Sequence, residues 1–172
     1  MTIEPDTKDW TWVLGERCAE CGLAAGEVDP TEVGARTRAD LPRWTAVLAR
    51  PDARTRPAPG VWSPTEYACH VRDVYVLFRQ RLQLMLTEDD PLFDNWNQDD
   101  TAIADDYAAQ DPATVAAQLV PAGEALADAF DALPADAWDR TGRRSDGSEF
   151  TVATFAQYFL HDIVHHLHDV GA

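Results

Sequence analysis

The sequence predicts an all-α four-helix bundle, and three observations carry the prediction. Four long stretches place apolar residues at three- and four-residue steps, the spacing of one helix face. Three of them open on a capping residue followed by proline, at Asp29-Pro30, Ser63-Pro64 and Asp111-Pro112. The connections between them are polar or rich in proline, as bundle loops are. A chain of 172 residues with 45% hydrophobic residues suits a single domain with a real core. Residues 1–28 read as an irregular lead-in and 29–172 as the bundle. Trp10 and Trp12, alternating with polar neighbours, predict that the lead-in packs on the body.

The first helix opens with Asp29-Pro30-Thr31-Glu32, a capping oxygen with an acid three residues on. It carries Val33, Leu41, Trp44, Val47 and Leu48, and Pro42 should kink or divide it. Ser63-Pro64-Thr65-Glu66 repeats the phrase and starts a second helix, reaching about Leu86. Its stripe is Tyr67, Val71, Val74, Phe78, Leu82 and Met85. A long polar connection, residues 87–106, then leads to Asp111-Pro112. The third helix carries Val115, Leu119, Leu126, Phe130 and Leu133, with a bend expected at Pro121. The connector at residues 137–150 holds the turn dipeptide Asp146-Gly147, so a short hairpin is expected there. The last helix covers residues 151–170, where no helix breaker occurs.

Composition bounds the partners. A net charge of -16 repels phosphate backbones and anionic lipid, which argues against nucleic-acid and membrane binding. No apolar run approaches a membrane span, and MTIEPDTKDW lacks the basic-then-apolar order of a secretory signal. A cytoplasmic protein acting on a small molecule is the expectation.

Chemistry concentrates in the last helix. Four of five histidines fall there, His161, His165, His166 and His168, and the fifth is His70 on the second helix. His161 and His165 are one turn apart, a separation at which two imidazoles can point at one metal ion. They lie opposite the centre of the arc formed by Phe159, Leu160, Ile163, Val164, Leu167 and Val170. That face meets either a second crevice or solvent. His166 lies nearer the arc's edge and is a rival ligand. Helix bundles build metal sites from facing helices, so His70 is the natural third donor. Asp73, three residues from His70, could orient its ring from outside the metal shell; a solvated charge is the plainer reading.

Three cysteines make no disulfide framework. Cys18 and Cys21 form a CxxC with three readings: a redox pair, half of a zinc site, or packing residues in a turn. Trp96 either lines a pocket or anchors its loop. Arg140, Arg143 and Arg144 are the one concentrated basic patch, suited to an anionic substrate group or to surface ion pairs.

The phrases WSPTEYACHVRDV and RRSDGSEFTVATFAQYFLHDIVHHLHDV resemble the DinB-like superfamily, from about residue 30 to the C-terminus. More narrowly they resemble the actinobacterial, mycothiol-dependent maleylpyruvate isomerase type of metal-binding domain. The resemblance implies a divalent metal held by three histidines, one from the second helix and two from the last. By position these are His70, His161 and His165, with His166 as the alternative to His165. It also implies zinc first, with nickel, iron or manganese as substitutes, and a low-molecular-weight thiol as co-substrate. Thiol transfer or isomerisation is the implied chemistry; the alternatives are a hydrolase or a metal-binding protein without catalysis. Homodimers are common in such a family, so a homodimer is the implied assembly.

Overall fold

The computed structural model describes residues 9–172, so the first eight residues of the expected lead-in lie outside the described residues. The four expected helices are present as α1 (Val33–Leu48), α2 (Pro64–Thr87), α4 (Pro112–Asp131) and α5 (Val152–Asp169). A short α3 (Gln98–Ala104) occupies part of the long polar connection.

Local chemistry explains where each begins. At α2 the Ser63 hydroxyl accepts from the Glu66 amide at 3.3 Å, and the Glu66 carboxylate accepts from the Ser63 amide at 2.8 Å. Asp111 caps α4 by accepting from the Thr114 amide at 2.9 Å. The Asp29 phrase opens a single 3-10 turn, Pro30–Glu32, that runs into α1. Thr151 caps α5 through a reciprocal pair with Thr154. Pro42 and Pro121 each lie inside one continuous helix, so neither divides it.

α4 packs against both α1 and α2, and α5 closes the ring against the same two helices. The order around the bundle is therefore α1, α4, α2, α5, and the α1–α2 and α4–α5 connections each cross a diagonal. The proline-rich stretch after α1 supplies the length for the first crossing. It is tied down where the Thr65 amide and hydroxyl both donate to the Ala53 carbonyl. α4 comes close because it and α1 each carry a glycine at the contact. A Cβ on Gly34 would sit 2.9 Å from the Ala127 carbonyl oxygen, and one on Gly123 would sit 2.5 Å from Leu41. The core between the helices is aromatic: Phe159 contacts Tyr75, Phe78 and Phe130.

The expected hairpin is β2 (Thr141–Arg144) and β3 (Glu149–Thr151), turning at Gly147 with a φ of 97°. Unforeseen in the sequence, β1 (Leu92–Phe93) adds to it in parallel. Arg81, buried on α2, donates to the Asp94 carbonyl at 2.6 Å and holds this edge to the bundle. The lead-in folds as short 3-10 turns at Trp10–Leu14 and Ala25–Glu27, both against α5. Among the described residues no helix is long and apolar enough to cross a membrane.

Candidate metal centre

α5 presents two neighbouring sets of donors on two faces. Residues 161 and 165 share one face, and residues 162 and 166, each one step on, share another about 100° away. The triad expected from the sequence, His70 with His161 and His165, is not the set that the fold brings together. The ligand atoms of His70, Asp162 and His166 lie within 4.8 Å of one another. Those of His161 and His165 gather instead with Cys18 and Cys21, again within 4.8 Å. The reason is the rotation of α5: its 162/166 edge faces α2, and its 161/165 face turns to the lead-in. That face is the second crevice the periodicity left open. His161 and His165 are buried, with Trp10 against both rings at centroid distances of 5.6 and 5.0 Å.

In the first set, Asp162 Oδ1 lies 2.9 Å from His166 Nε2 and 3.5 Å from His70 Nε2. The opposite nitrogen of His166, Nδ1, meets Asp169 Oδ2 at 2.9 Å. Burial disfavours charge on His166, but the two carboxylates outweigh it and push its pKa up to about 9. Burial likewise opposes charge on Asp162, yet His166 and His70 hold its carboxyl far below the usual range. His70 is 1% exposed, and burial pushes its imidazole down. It is stacked on Trp96 at 5.3 Å and 11°, with Trp62 at 5.5 Å.

This set fits a divalent ion on its own evidence. The buried His70 makes no hydrogen bond at Nδ1, and at Nε2 it has only the 3.5 Å approach of Asp162, a costly condition that a metal bond would relieve for one of them. Two imidazoles and a carboxylate also form a donor set common to catalytic zinc and non-haem iron. Asp169 on the far nitrogen of His166 is the outer carboxylate that metal-bound imidazoles usually have.

A cavity of about 250 Å³ adjoins both sets: Asp162 and His166 of one and His161 and His165 of the other line it, while His70 lies behind them. Trp10, Trp62, Tyr67 and Tyr158 form its walls, with Asp162 and His166 at its base. Burial, then the nearby Asp169 and Glu66, push Tyr67 up to about 12, so its hydroxyl stays a neutral donor. No arginine or lysine among the described residues lines the cavity.

Several expected site residues stand elsewhere. Asp73 does not orient His70; it binds the Tyr107 hydroxyl and, at 2.8 Å, Arg72. Trp96 backs His70 instead of lining the cavity, and its indole N–H donates to Thr101 at 2.8 Å. Arg143 pairs with Asp90 at 2.8 Å, and Arg144 with Asp146 at 2.8 Å. Only Arg144 touches the site, indirectly, through a 3.3 Å contact to the Tyr158 hydroxyl. Arg140 caps α2, donating to the carbonyls of Met85 and Glu88. The residue that sequence reasoning missed is Asp162. Asp162 and His166 have the same i,i+4 spacing as His161 and His165, and that spacing is equally good for a mixed carboxylate–imidazole pair.

Fold and site together define a helical-bundle protein with a histidine–carboxylate centre able to hold a metal. Residues 34–170 match the DinB superfamily, and the chain belongs to it. Among solved structures it is similar to YfiT from Bacillus subtilis, described as a probable metal-dependent hydrolase with an unusual four-helix bundle topology. The TM-score is 0.65 at 18% identity, over 99% of this chain and 92% of that one, a likeness of fold. No curated protein matches the chain in sequence.

Proposed function

We propose that this protein is a metal-dependent enzyme whose ion, held by His70, Asp162 and His166, activates a small nucleophile for attack on a substrate in the adjoining cavity. One observation carries the reading: His70 of α2, buried with no hydrogen bond at either ring nitrogen, converges with the Asp162–His166 pair of α5, and that pair lines the cavity. A bound divalent ion would lower the pKa of a water or thiol filling its open positions. The chain's own residues supply the rest. Asp169 holds the His166 ring in place, and Trp62 and Trp96 fix that of His70. Tyr67 offers a neutral O–H donor to a carbonyl or developing oxyanion. With acidic groups and, among the described residues, no arginine or lysine lining it, the cavity suits an uncharged or cationic substrate and disfavours phosphorylated ones.

Two nucleophiles suit the same centre. A low-molecular-weight thiol of the mycothiol type would make the protein a thiol-dependent transferase or isomerase, the reading supported by the resemblance of its two histidine phrases. Water would make it a hydrolase, supported by the likeness to YfiT. The test loads the protein with zinc, nickel, iron or manganese and assays two panels: thiols with electrophiles, and esters with amides. Chelator-sensitive turnover absent from His70→Ala is the expected result in one panel. Metal bound equally by His70→Ala would overturn the proposal, as would two silent panels.

A further inference from the structure

We propose that Cys18, Cys21, His161 and His165 bind a zinc ion in a closed tetrahedral site that fastens the N-terminal segment to α5. This site is separate from the His70–Asp162–His166 set and stands independently of the function proposed above.

The donor chemistry comes first. Two thiols and two imidazoles are the ligand set of structural zinc, and all four donor atoms lie within 4.8 Å of one another. Distance supports it. With zinc–sulfur and zinc–nitrogen bonds of about 2.3 and 2.05 Å, a tetrahedron has a mixed sulfur–nitrogen edge of about 3.6 Å. Cys18 Sγ lies 3.6 Å from His165 Nδ1.

The backbone is shaped for the task. The Cys18 amide donates to the Leu23 carbonyl and the Gly22 amide donates to the Cys18 carbonyl, each at 2.9 Å, closing the CxxC into a tight turn. Gly22 takes a φ of 78°, where a side chain would be strained, and so lets the turn close. The same turn carries Glu20, whose carboxylate lies 3.3 Å from His165 Nε2, the nitrogen facing away from the cysteine. A carboxylate on the far nitrogen is the support that metal-bound histidines use. His161, only 3% exposed, has a buried Nε2 with no hydrogen-bond partner. Both sulfurs are free thiols.

The site also answers a stability problem. The described lead-in has only short 3-10 turns, and its buried apolar residues are few: Val13, Cys18, Ala25 and Val28. Ordering each residue costs about 1–2 kcal/mol of backbone entropy, which the packing of Leu14 and Leu23 and the Gln157 bonds to the Gly26 and Val28 carbonyls offset in part. Zinc binding, with release of the two thiol protons, adds its binding free energy to the folding of this segment. Four protein donors leave no position for substrate, so the role is structural. It reaches the cavity all the same. Trp10, packed on both histidine rings, is one of the cavity's walls, and zinc occupancy therefore decides whether that wall stands.

The test is made on the reduced full-length protein, passed over a chelating resin and analysed for zinc by emission and X-ray absorption. Expected are a retained zinc equivalent and two sulfur scatterers at about 2.3 Å. Both should vanish in a Cys18→Ser, Cys21→Ser variant and persist in His70→Ala. A spectrum without sulfur overturns the proposal, as does unchanged zinc in the double variant or a Cys18–Cys21 disulfide in place of metal. If the double variant does not fold, alkylation of the wild-type thiols decides. Zinc should protect Cys18 and Cys21, and equal rates with zinc and with chelator overturn the site.

Discussion

Two faces of α5, one residue apart in sequence, carry pairs with identical spacing and different surroundings. His161 and His165 look toward the N-terminal segment and meet two sulfurs; Asp162 and His166 look toward α2 and meet His70. The first set has four donors packed under Trp10. The second has three, and one cavity of about 250 Å³ is lined by Asp162 and His166 of this set and by His161 and His165 of the other. Four donors complete a tetrahedron, whereas three leave room for water or substrate. The difference teaches that an i,i+4 pair of ligands states only that a helix can bind metal. What stands opposite the face decides whether such a site is closed or open.

The broadest way to break the comparison is to damage the helix both faces share. Phe159 is fully buried among Tyr75, Phe78 and Phe130, and Phe159→Ala should lower stability by about 3–5 kcal/mol. Urea unfolding checks it, and both metals should be released in one transition; two separate transitions would show that the faces are energetically independent. A sharper test removes one set only. His70→Ala should weaken metal binding at the open set by more than about 100-fold, the upper range for losing only an outer partner, and spare the sulfur-bound zinc. Competition titration with a chromophoric chelator reads both.

Asp169→Asn probes the support of one ligand. Asp169 touches His166 Nδ1 at 2.9 Å but His165 Nε2 only at 3.7 Å. The open set should therefore lose about 10–100-fold in affinity and the closed set less. Equal losses at both would mean that Asp169 supports the two sets alike. The smallest effect concerns Glu66, one turn before His70. Burial acts to raise its carboxyl, but Arg56 and the Ser63 amide outweigh this and hold it below 4.5. Its contribution is therefore full above pH 4.5 and is lost as pH falls through the lower folded value. Glu66→Gln should cost about 1 kcal/mol near neutral pH and flatten the acid limb of the stability profile. Thermal melts from pH 3 to 7 would show it; an unchanged acid limb would remove Glu66 from the account.

The helices were legible because their signals are local. Ser63 with Glu66, and Asp111 with Pro112, mark their starts within four residues of chain. Asp146-Gly147 marked the hairpin in the same way. The candidate site was legible only in its alphabet: His70, an HxxxH and a CxxC. Of the two readings open for Arg143 and Arg144, the ion-pair one holds: they are taken up by Asp90 and Asp146 on their own surface. Asp73 follows neither of its two readings, since sequence spacing to His70 says nothing of Tyr107, which arrives from a turn 34 residues on.

The amino-acid sequence determined, by itself, that four amphipathic helices would form and that α5 would carry ligands at one-turn intervals. Capping and periodicity are short-range properties, and they survive any arrangement of the helices. Only the tertiary structure decided the partnership of each face, because that depends on the angle at which α5 is turned when its apolar arc is buried. That angle sent His161 and His165 to the cysteines and left Asp162 and His166 to complete a centre with His70.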